Sequence, residues 1–68
     1  MEFKIQGTSI ELCKLLKACG LCESGGHAKQ VIQEGSVSVD GAVETRRNFQ
    51  VRSGQKVSFA GSEITVLS

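Results

Sequence analysis

Residues 23–59 read ESGGHAKQVIQEGSVSVDGAVETRRNFQVRSGQKVSF, and the change of rhythm inside this stretch decides the architecture. Its first part is spaced for a helix. Ser24 sits where an N-cap belongs, and Ala28, Val31 and Ile32 form one apolar stripe. Gly35 stands where the helix should end. The outward face carries Lys29, Gln30 and Gln33. After Gly35 the period falls to two. Val37 and Val39 alternate with Ser36 and Ser38. Asp40-Gly41 is then a two-residue hairpin signal, because both residue types tolerate the positive φ of a type I′ turn. Val43 and Thr45 continue the return strand, Phe49 and Val51 form the next run, and Ser53-Gly54 turns the chain toward Val57 and Phe59.

Upstream, Phe3 and Ile5 alternate as a short strand that ends at Gly7. Thr8 and Glu11 have capping-box spacing. Leu12, Leu15, Leu16 and Cys19 follow at i, i+3, i+4 and i+7, with Gly20 as the expected cap. Lys14 and Lys17 fall on the opposite face. Only Leu21, Cys22 and Glu23 link this helix to the one opening at Ser24, so the two helices must pack as a pair. Downstream, Gly61-Ser62 turns the chain into a last strand carrying Ile64 and Val66. The expected order is strand, helix pair, then a meander of short strands, with Cys19 inside the apolar stripe and Cys22 outside it. All three phenylalanines keep phase with core residues.

Composition narrows the function. A chain of 68 residues, 40% apolar, is expected to form one domain over 1–68 with a single modest core. A deep catalytic pocket would consume most of that core. The 8 Lys/Arg against 7 Asp/Glu give a net charge of +1. Any phosphate-binding role must then come from local segregation of charge. No apolar run has the length of a membrane span, and no signal-peptide pattern opens the chain. Three cysteines, an odd number, fit reduced thiols in a cytoplasm better than a disulfide framework.

Cys13, Cys19, Cys22 and His27 invite a zinc reading. On one helix, however, Cys13 and Cys19 stand roughly 120° apart around the axis, and small thiols commonly fill cores. The single His supports no nucleophile–base–acid set. Gly25-Gly26 at a helix start could expose amides to a phosphate, but the spacing is not that of a nucleotide-binding loop. The basic residues say more. Lys14 and Lys17 share one helix face, Lys29 lies on the outer face of the other, and Arg46-Arg47 occupy the connection after the hairpin.

The whole pattern resembles the RNA-binding domain first defined in the fourth protein of the small ribosomal subunit, the S-four-like or αL motif. The matching features are Ser24, Ala28, Ile32 to Gly35, Val37-Ser38-Val39-Asp40-Gly41, the basic Arg46-Arg47 loop and Val51-Arg52-Ser53-Gly54-Gln55. The leading helix fits as well, so the resemblance covers nearly the whole chain. Three positions depart from the family. Gly25 stands where a basic residue is usual, Asp40 replaces Asn, and Gln55 replaces an acid.

The resemblance implies an α+β fold, with a helix pair packed on a small, mostly antiparallel sheet. It implies binding to structured ribosomal or transfer RNA, in association with the ribosome, without catalysis, cofactor or metal. The expected RNA-contacting residues are Lys14, Lys17, Ser24, Lys29, Gln33, Arg46 and Arg47. A cytoplasmic monomer is expected. The rival is a protein-interaction adaptor that keeps the fold without RNA affinity, which near-neutral charge and Gly25 favour.

Overall fold

The computed structural model describes residues 1–68. In chain order the elements are β1 (Glu2–Lys4), β2 (Ser9–Glu11), α1 (Leu12–Ala18), α2 (Gly25–Gln33), β3 (Val37–Val39), β4 (Ala42–Val43), β5 (Gln50–Arg52), β6 (Lys56–Phe59) and β7 (Ser62–Leu67). The fold is α+β. Five strands form one sheet in the order β1-β7-β6-β3-β4, and β2 pairs with β5 in a separate ribbon. Only β1 and β7 run parallel, with Phe3 opposite Val66. The other pairs are antiparallel.

Leu12, Leu15 and Leu16 of α1 and Ala28, Val31 and Ile32 of α2 meet Val37, Val57, Ile64 and Val66 of the sheet in one cluster. No polar or charged side chain is buried in it. Burial of each large aliphatic side chain contributes roughly 1.5–3 kcal/mol, which is what draws both helices onto the sheet.

The helix ends follow from local chemistry. Ser24 Oγ accepts from the His27 amide at 3.1 Å, so the expected N-cap is present. Gly20 has φ +77° and Gly35 φ +80°. Behind Gly20, the Leu21 amide donates to Leu16 O and the Gly20 amide to Lys17 O. Behind Gly35, the Ser36 amide donates to Val31 O and the Gly35 amide to Ile32 O. Both helices thus close in the same paired-bond C-cap, which needs a left-handed residue at that position. The Asp40-Gly41 hairpin also forms as expected, with φ 51° and 84°.

Several expectations change. The Thr8/Glu11 capping box does not form: residues 9–11 are a strand, and α1 starts at Leu12 with no side-chain cap. The reason is tertiary. Ile10 pairs with Val51 in the β2–β5 ribbon, and the first amides of α1 donate to loop carbonyls, Leu12 to Phe49 O at 2.9 Å and Cys13 to Arg47 O at 3.4 Å. The strands do not form a simple meander, because β5 leaves the main sheet for β2 and β6 takes the place beside β3. Thr45 lies outside any strand, and Val43 on the short edge strand β4 is exposed. The cysteines exchange roles: Cys13 and Cys22 are buried and Cys19 is half-buried. The helix ends at Ala18, so the chain carries Cys19 off the stripe and folds Cys22 inward. Lastly, Phe3, Phe49 and Phe59 are half-buried and pack on the rim of the core.

Candidate nucleic-acid interface

The loop between β4 and β5 is built around Glu44. Its amide extends the β3–β4 pairing by donating to Val37 O at 3.0 Å. Its carboxylate accepts from the Arg46 amide at 3.0 Å, from Arg46 Nε at 2.9 Å and from Arg46 Nη2 at 3.1 Å. The Phe49 amide donates back to Arg46 O, closing a turn with Arg47 and Asn48 at its tip. Arg46 Cζ sits 5.3 Å from the centroid of the Phe49 ring. The guanidinium of Arg46 holds the Glu44 carboxyl below the usual glutamate range, first through its side-chain hydrogen bonds. In turn the carboxylate raises Arg46. Arg47 makes no ion pair.

An open concavity of about 580 Å³ faces this loop, and its lining includes Gln33, Arg46, Arg47 and Asn48. A second, of about 250 Å³, lies between the helices and includes Lys14, Lys17, Gly25, Lys29 and Asn48. Asn48 belongs to both, so the two meet there. Lys14 is 3.6 Å from Glu11 in an exposed ion pair, whereas Lys17 and Lys29 make none. Five of the eight basic residues therefore converge on one face, with Glu11 and Glu44 as their acidic partners.

Of the seven residues expected to contact RNA, six line this face. Ser24 does not: its hydroxyl is engaged in capping α2. Gly25, the position where the family usually carries a basic residue, opens into the lysine concavity. The sequence reading assigned no role to Glu44 and Asn48 and placed Phe49 in the core. A carboxylate two residues before an arginine, and an Asn at a turn tip, are the local signals that mark the first two.

No three His, Cys, Asp or Glu side chains are grouped to hold a metal ion, and His27 is exposed. Burial pushes the Cys19 and Cys22 thiols up, away from the reactive thiolate. No helix is long and apolar enough to cross a membrane.

A helix pair with matched C-caps, followed by a hairpin and a basic loop folded back on the first helix, defines an αL-type domain. Residues 3–67 match the S4 domain family, and the chain belongs to it. YbcJ of Escherichia coli (strain K12) is 54% identical over 59 residues, spanning 87% of this chain and 84% of YbcJ. The solution structure of YbcJ from E. coli, described as revealing an αL motif involved in RNA binding, superposes with a TM-score of 0.76 at 48% identity. That match covers 98% of this chain and 86% of the other. A tyrosine–tRNA ligase of Ralstonia nicotianae is 33% identical over 60 residues, which is 88% of this chain but 15% of the ligase.

Proposed function

We propose that this protein is an RNA-binding module for structured ribosomal or transfer RNA, acting in association with the ribosome. The observation that carries the reading is the convergence of Lys14, Lys17, Lys29, Arg46 and Arg47 on two concavities that meet at Asn48. A net charge of +1 gives no general attraction to RNA, so this clustering supplies it. The lysines meet phosphates as point charges, and the helix pair with the arginine loop supplies a shape that fits a folded backbone. The description of YbcJ as carrying an RNA-binding αL motif supports the same reading.

The adaptor reading draws on two features: Gly25 leaves the lysine concavity one cation short of the family pattern, and Glu44 offsets Arg46. Binding to a tRNA and to an rRNA hairpin across a salt series separates the two. With three or four phosphates contacted, log affinity should fall against log salt with a slope of about −3. Folded protein that binds neither RNA at low salt, and instead recovers a protein partner, would replace the RNA reading with the adaptor.

A further inference from the structure

The two arginines of the loop are not equivalent. Arg47 projects from the turn tip without an ionic partner. Arg46 has its Nε and one Nη2 hydrogen directed at Glu44, at 2.9 and 3.1 Å, and its backbone amide bound to the same carboxylate. One forked edge of the guanidinium, Nε with Nη2, is thus occupied, and its charge is matched. What remains is a flat group held in place. Its Cζ lies over the half-buried Phe49 ring, 5.3 Å from the centroid, while the side chain is 72% exposed and borders the open concavity beside Arg47 and Gln33. The Glu44 side chain, by contrast, is only 14% exposed, so the clamp is anchored in the fold.

From this geometry we propose that Arg46, backed by Phe49 and fixed by Glu44, is a stacking platform for one unpaired base of the bound RNA, while Arg47 neutralises a neighbouring phosphate. The inference rests on the RNA-binding reading and deepens it. Guanidinium planes are weakly hydrated and stack on π faces, and unpaired bases are what proteins splay onto such surfaces in folded RNA. A guanidinium already neutralised by a carboxylate gains little from a phosphate and keeps its outward face available. Glu44 is here a positioning residue, and Arg46 discriminates an extruded base from a continuous duplex.

The test uses two RNA hairpins that differ at one bulged nucleotide, one carrying a base and the other abasic at the same sugar. The wild-type protein should bind the base-containing hairpin about tenfold more tightly, toward the low end of base-stacking contributions. Arg46→Lys keeps the charge, removes the plane, and should bring the ratio close to one. Arg47→Ala should weaken both hairpins equally and make the salt slope shallower by about 0.7–0.9. Arg46→Ala should leave the slope nearly unchanged. Equal wild-type affinity for the two hairpins would overturn the platform and leave RNA binding intact. A ratio that survives Arg46→Lys would also overturn it. Binding to neither hairpin at low salt would remove the RNA reading and the platform together.

Discussion

At Cys22, a thiol at 3% exposure sits in the same cluster as Leu16 and Ala28, so its sulfur serves as apolar volume. Replacing it with serine buries a hydroxyl, and Cys22→Ser should cost about 1–3 kcal/mol in denaturant unfolding. Cys19, half-buried beyond the helix end, should tolerate the same change with much less loss. Both thiols are raised by burial, so alkylation of native protein at neutral pH should be slow and should speed up on unfolding. Glu44 gives a pH signature of the opposite kind. Its folded pKa lies below the unfolded value, so the Glu44–Arg46 clamp contributes fully above the ordinary glutamate pKa of about 4.3. The contribution is lost as pH falls through the lowered folded value. The Arg46 Nε–H chemical shift, followed by side-chain NMR, should stay constant at neutral pH and move only as the pH falls through that acid range.

Turns decide the strength of the hairpins. Gly41 has φ +84°, and the space where a Cβ would stand is open. The strain in a substitution there is conformational, and Gly41→Val should cost about 1 kcal/mol or more. The turn before β7 contains a local conflict. Its central residues are Ala60 and Gly61, one place earlier than the glycine-serine spacing suggested, and Ala60 is held at φ 52°. Asn tolerates that region much better than Ala. Ala60→Asn should therefore stabilise the domain by about 1 kcal/mol, a rise in Tm of about 4–8 °C for a chain of this size. Two departures from the family pattern also turn out to be partners. Asp40 accepts from the Lys56 amide at 2.9 Å and from Gln55 Nε2 at 3.3 Å, tying the β3–β4 hairpin to the turn before β6. In the family pattern the amide is at the first of these positions and the acid at the second. Here they have changed places.

Features written within a few residues were legible in the sequence: the Ser24 cap, the α2 stripe, the glycine helix ends, the Asp40-Gly41 turn. The start of α1 was not. Thr8 and Glu11 look like a capping box when read locally, and what makes residues 9–11 a strand is the pairing of Ile10 with Val51, forty-one residues away. The allocation of β5 to β2 and of β6 to β3 has the same long-range origin. The basic residues of the candidate surface could be picked out one by one. Their convergence needed the loop folded against α1, and the spacing of Glu44 and Arg46, though written locally, became a clamp only once Arg46 had a direction. At the scale of the molecule, distribution outweighs total charge. Glu2 and Glu63 lie on β1 and β7 and line neither concavity. Changing both to Ala should raise the net charge while leaving the salt slope for RNA within about 0.3 of the wild-type value, less than one phosphate's worth.

The bond from the Leu12 amide to Phe49 O has a kinetic consequence. A helix amide near an N-terminus normally exchanges its proton quickly, because no turn precedes it to shield it. Here that proton is released only when the arginine loop swings away. Deuterium uptake at Leu12 therefore times the opening of a loop whose own side chains carry no convenient label. A ligand that grips the loop in its closed form must slow that uptake, in proportion to the ratio of ligand concentration to Kd.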